Sequence, residues 1–171
     1  MMCAVLVEAR RRRYGLRMAK STPLPKAQLD GFIRKFTPAV AAQIRAALAI
    51  MRKRLPGAVE IVYDNYNALA IGFGPTDRAS DVVFSIAAYP RWISLFFFAG
   101  NSLKDPKKLL KGNGNVVRHI VLDPPELLND PDVKKLMIQT LKLAGNPIDA
   151  KAKRRLVIKS ISAKQRPRRP V

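Results

Sequence analysis

The residues with the most chemical potential fall into a few groups. Lys111-Gly112-Asn113-Gly114-Asn115, followed by Arg118, joins two cations to glycines that let successive backbone amides converge on an anion. The competing reading of this stretch is a helix end running into a turn with solvated charges. A second group is Tyr89, Arg91 and Trp92, two aromatic rings and a cation at the junction of two β-rich runs, a set suited to stacking a base or holding a ligand. A third is acidic: Asp123, Glu126, Asp130 and Asp132 offer oxygen ligands for a hard cation, although carboxylates also belong at helix starts. His119 is the sole histidine, so a general-base scheme needs it or a perturbed Asp, Glu or Lys. With Lys111 and Arg118 it would be the team of an enzyme acting on a phosphorylated substrate. Its alternation with Val117 and Val121 instead predicts a structural histidine on an apolar strand face.

Common catalytic templates are absent. The chain has no HExxH, CxxC, GxSxG or Walker A pattern, and Gly72-Phe73-Gly74 lacks the third glycine of a dinucleotide fingerprint. Glu60 and Asp64 share one strand face, but at roughly 13 Å between Cα atoms they are too far apart for a glycosidase pair, which needs about 5–9.5 Å. They read as solvated strand residues. The only cysteine, Cys3, allows no intramolecular disulfide and no cysteine-rich metal site, which fits a reducing cytoplasm.

The elements that must position these residues follow from periodicity. Between Lys26 and Leu55 the apolar residues recur at three and four, and Thr37-Pro38 supplies an N-cap and a first-turn proline, so two helices are predicted over 26–36 and 38–54. Pro56-Gly57 ends the second. Alternation then takes over: Val59 to Asp64 and Ala68 to Phe73 form a hairpin, and Val82 to Tyr89 and Trp92 to Phe98 form a second pair around Pro90-Arg91, a loop expected to be looser than two residues. If Tyr89 lies opposite Trp92, Val82, Phe84, Ile86, Ile93, Leu95 and Phe97 face the core while Ser85, Ala87, Ser94 and Phe96 share the other face with the two rings. A short helix from Asp105 to Gly112, a fifth strand over 116–122 and a helix from Asp130-Pro131 to Leu143 complete the domain. Leu156 to Ile161 fits either a strand or a helix turn, and 164–171, with two prolines in eight residues, is expected to be disordered. The fold class is therefore α+β, a single domain over 21–146 with an antiparallel sheet of about five strands and helices packed on it.

The chain of 171 residues carries a formal net charge of +20. Residues 1–20 hold six Lys/Arg against Glu8, a net +5, and residues 142–171 hold ten against Asp149, a net +9, which leaves +6 for the middle. The expectation is a basic N-terminal extension over 1–20 and a basic, partly disordered tail over 147–171 around an ordinary domain. The extension has its arginines after its apolar run, the reverse of a secretory signal; it suits a dispensable stretch before a start at Met18, with a mitochondrial-type presequence as the other reading. No apolar run is long enough to span a membrane.

Three blocks of this sequence, Ile61-Val62-Tyr63-Asp64-Asn65-Tyr66, Ala87 to Phe97, and Leu109 to Ile120, resemble the YdhG-like family, a bacterial family of domains of unknown function, in order and spacing over about residues 26–144. The resemblance implies a compact cytoplasmic α+β domain with an antiparallel sheet. One family member is assigned as a frataxin-like iron chaperone, which implies, as the alternative function, iron held by Asp123, Glu126, Asp130 and Asp132. The charge distribution favours a non-catalytic binding module for an anionic partner, nucleic acid or a phosphate-bearing ligand, without any cofactor.

Overall fold

The computed structural model describes residues 23–170; the expected extension over 1–20 lies outside them. Two helices open the fold, α1 (Pro25–Arg34) and α2 (Pro38–Arg54). The break between them has the predicted cause: Thr37 is extended, and its Oγ1 accepts a hydrogen bond from the Val40 amide at 3.3 Å. Then come β1 (Val59–Asp64), β2 (Leu69–Gly74), β3 (Phe84–Ala88), β4 (Ile93–Phe97) and β5 (Arg118–Val121), followed by a 3₁₀ turn at Pro125–Asn129, α3 (Pro131–Leu143) and β6 (Arg155–Ile161). The strands form one sheet in the order β5-β4-β3-β2-β1-β6, antiparallel throughout except that β6 runs parallel to β1. The helices share a single core with one sheet face, in which Phe36, Ile44, Leu48 and Met51 meet Ile71, Phe84, Ile86, Leu95 and Phe97.

The fold is α+β as expected, with six strands rather than five. The sixth is the stretch left open between strand and helix turn. A parallel partner needs a long crossover, here all of β2 to α3, so no local pattern announces the pairing.

Two other expectations are corrected. Residues 105–112 are not helical: the Asp105 carboxylate accepts a hydrogen bond from the Leu110 amide at 2.7 Å, and Lys111 forms an antiparallel bridge with His119, so these groups are engaged outside any helix. Glu60 and Asp64 are not solvated, being about 1% and 0% exposed. β1 is covered on both faces. Val59 and Ile61 pack with Val82 on one side, so Glu60, Val62 and Asp64 face the helices, where Arg52 grips Glu60 through two hydrogen bonds of 2.9 and 2.7 Å. The fork-to-fork geometry of a guanidinium on a carboxylate makes that burial tolerable.

The β3–β4 connection is tighter than expected. Ala88 pairs with Ile93 and the Tyr89 amide donates to the Trp92 carbonyl at 2.9 Å, so the loop is just Pro90-Arg91.

Candidate functional site

The β3–β4 turn places Tyr89 and Trp92 against each other, with ring centroids 5.0 Å apart and planes 24° from parallel. Trp92 remains 44% exposed although it is a large aromatic, and Arg91 beside it is exposed as well. Both rings line a cleft of about 500 Å³, whose opposite wall is Arg166, Pro167, Arg169 and Pro170. The cleft therefore joins two segments more than seventy residues apart in the chain. One wall is a hairpin turn on a rigid sheet; the other is the stretch expected to be a disordered tail.

What holds that second wall is a buried charge cluster. Beyond β6 the chain continues beside the end of β1, with the Ser162 amide donating to the Asp64 carbonyl and the Arg166 amide to the Tyr66 carbonyl, each at 2.9 Å. Arg168 then turns inward. Its side chain is 2% exposed, its Nη2 donates to Asp64 Oδ1 at 2.9 Å and to the Asn65 carbonyl, and its guanidinium lies 5.7 Å from the Phe36 ring centre. Lys35 donates to the other carboxylate oxygen at 2.7 Å and to Gln165 Oε1 at 2.8 Å. Burial by itself would raise the Asp64 carboxyl, but the hydrogen bonds from Lys35, Gln165 and Arg168 outweigh it and hold the group below the usual carboxylate range. Arg169 is fastened more loosely, its Nε donating to the Phe36 carbonyl at 3.3 Å just past the end of α1. Residues 162–170 are thus a strap whose most buried anchor is Arg168, and the prolines on either side of the Arg168-Arg169 pair stiffen it.

Tyr89, Arg91 and Trp92 were identifiable from the sequence; Arg166 and Arg169 were not. A short run of prolines and arginines has the composition of a disordered end, and the signal that orders it, the carboxylate of Asp64, lies 104 residues earlier.

The other predicted residues do not join this cleft. Arg118 pairs with Phe97 at the far end of β4 from Trp92, five residues or roughly 16 Å away. There the Lys111–Asn115 loop is exposed, with Gly112 at φ 103°, a conformation that favours glycine. Arg118 Nη1 donates to the carbonyls of Gly114 and Val117, and Asn101 donates to the Asn115 carbonyl at 2.7 Å, so the loop is organised around its own cation through its oxygens. Its expected role as a nest of amides has no support in this geometry. His119 stacks on Phe96 at 5.2 Å, on the sheet face away from the helices; burial and then the Lys111 charge push its imidazole below the usual histidine value.

The acidic residues are deployed separately. Asp130 caps α3, accepting from the Asp132 and Val133 amides at 2.8 and 3.2 Å, while Asp132 is paired with Lys107 at 2.6 Å and Lys135 at 3.1 Å. Asp123 and Glu126 are exposed. Among the described residues no three His, Cys, Asp or Glu side chains come together as a metal site.

Neither a family model, nor a curated protein, nor a solved structure matches this chain. The site's own chemistry is therefore the basis for a functional reading. Among the described residues no helix is long and apolar enough to cross a membrane.

Proposed function

We propose that this protein is a non-catalytic binding module for a phosphate-bearing anion, nucleic acid foremost, and that the cleft between the β3–β4 turn and the strap is where it binds. The observation that carries the reading is the composition of that cleft: a stacked aromatic pair with Arg91, Arg166 and Arg169 around a space of about 500 Å³. Arginine is the cation best suited to phosphate, because its planar fork presents several donors at once and sheds water readily. The setting is a chain of net charge +20, which draws polyanions from a distance and keeps other proteins of the same sign away.

The test is the anisotropy of a labelled oligonucleotide titrated with the full chain across a range of salt. Each cation that neutralises a phosphate contributes about 0.7 to the log–log salt slope on a single strand and about 0.9 on a duplex. Arg91→Ala and Arg166→Ala should each weaken binding and flatten the slope by about that amount. Absence of binding at low salt, or full binding by the double variant, would overturn the assignment.

A further inference from the structure

The anion reading names a charge, and the cleft also carries information about the shape of the ligand. Tyr89 covers part of the indole of Trp92, yet Trp92 as a residue stays 44% exposed and lines the cleft, beside a turn whose two-residue length leaves it little freedom. A rigid, exposed aromatic plane with guanidinium groups beside it and across from it is what an unpaired base and its flanking phosphates require: the ring takes the base face, the arginines take the backbone. A duplex cannot use such a site, because its base faces are already stacked on one another and only edges and phosphates reach the protein. Backbone charge alone would be satisfied equally by either form.

We propose that the ligand at this cleft is single-stranded nucleic acid, with one unpaired base stacked on Trp92 and its adjoining phosphates held by Arg91 on one side and by Arg166 of the strap on the other. The inference rests on the anion-binding reading above and adds to it the strand state of the ligand and the residue that selects it. Pro167 and Pro170, which line the same wall as Arg166, limit how far that wall can adapt.

Trp92 is the only tryptophan of the chain, so its fluorescence reports on this cleft alone. The experiment titrates the full-length protein with an unlabelled single-stranded oligonucleotide, the same oligonucleotide without its bases, and the matching duplex, following Trp92 emission; labelled versions are followed by anisotropy in parallel. The single strand should quench Trp92 and bind more tightly than the other two. Trp92→Leu should weaken the single strand by roughly 5- to 100-fold while leaving the duplex unchanged, and Trp92→Phe, which keeps a stacking face, should recover part of the loss. Equal affinity for single strand, base-free strand and duplex, with Trp92 emission unmoved, would overturn the stacking site while leaving the anion reading in place. Binding of none of the three at low salt would overturn both.

Discussion

Arg168 and Asp64 show how much one ion pair can decide. A guanidinium that is 2% exposed has given up its water, and its Nε has no partner among the described groups, so the cost of burying it is met by Asp64, the Asn65 and Tyr66 carbonyls and the Phe36 ring. Removing one member of such a pair leaves the other buried and unmatched. Asp64→Ala should therefore lower the unfolding free energy by about 3–5 kcal/mol, and the Asp64→Ala/Arg168→Met double variant should lose less than the two single losses combined, as read by chemical denaturation. The same carboxylate sets an acid limit. Its folded-state titration lies below the unfolded value of about 3.9, so the unfolded chain binds the extra proton, and the stability that Asp64 contributes is complete above that value and is lost as pH falls through the folded one. Thermal unfolding of the natural chain should drop between pH 5 and pH 3 by more than that of Asp64→Asn, and an equal drop in both would remove Asp64 as the cause. From the sequence Asp64 reads as a surface strand residue, because alternation reports which residues share a face but not which face meets the helices.

At the scale of elements, helix boundaries were legible and long-range strand pairing was not. Thr37-Pro38 ends one helix and starts the next through a hydrogen bond that spans three residues, and Asp130-Pro131 repeats the device for α3. Thr37→Ala should cost about 1 kcal/mol in denaturant unfolding. β6 is the opposite case. Its place beside β1 depends on the segment that leads into it, and that segment passes close over Gly57: a Cβ there would fall on the Asp149 carbonyl. Gly57→Ala must push residues 149–150 away just before the strand, so it should destabilise the domain by about 1–3 kcal/mol and raise amide exchange across Arg155–Ile161 before the rest of the sheet. Unchanged exchange there would mean that β6 is placed by its ladder alone. The helix expected at 105–112 fails for a related reason: Asp105 closes a turn on Leu110 and Lys111 is taken up by His119, contacts that compete with a short and weak helical pattern.

For the whole molecule, the question is where a charge of +20 acts. Composition assigns most of it to the two ends, but Arg155 and Lys159 lie on a strand, Arg168 is inside, and Arg166 and Arg169 form a wall. If the three cleft arginines carry the contact with a single strand, a fourfold rise in salt should weaken binding only about 20-fold. A much steeper fall would move the contact to the remaining cations, and anisotropy at two salt concentrations decides between them. What the sequence determined by itself is the local part: the limits of α1, α2 and α3, the two hairpins, the α+β class and the aromatic turn, all of which depend on residues within a few positions of one another. Only the tertiary structure decided the sixth strand, the inward face of Glu60 and Asp64, and the strap that completes the cleft. Each of these is held by partners far apart in the chain, and a buried charge is indistinguishable from a solvated one until its counter-ion is in place.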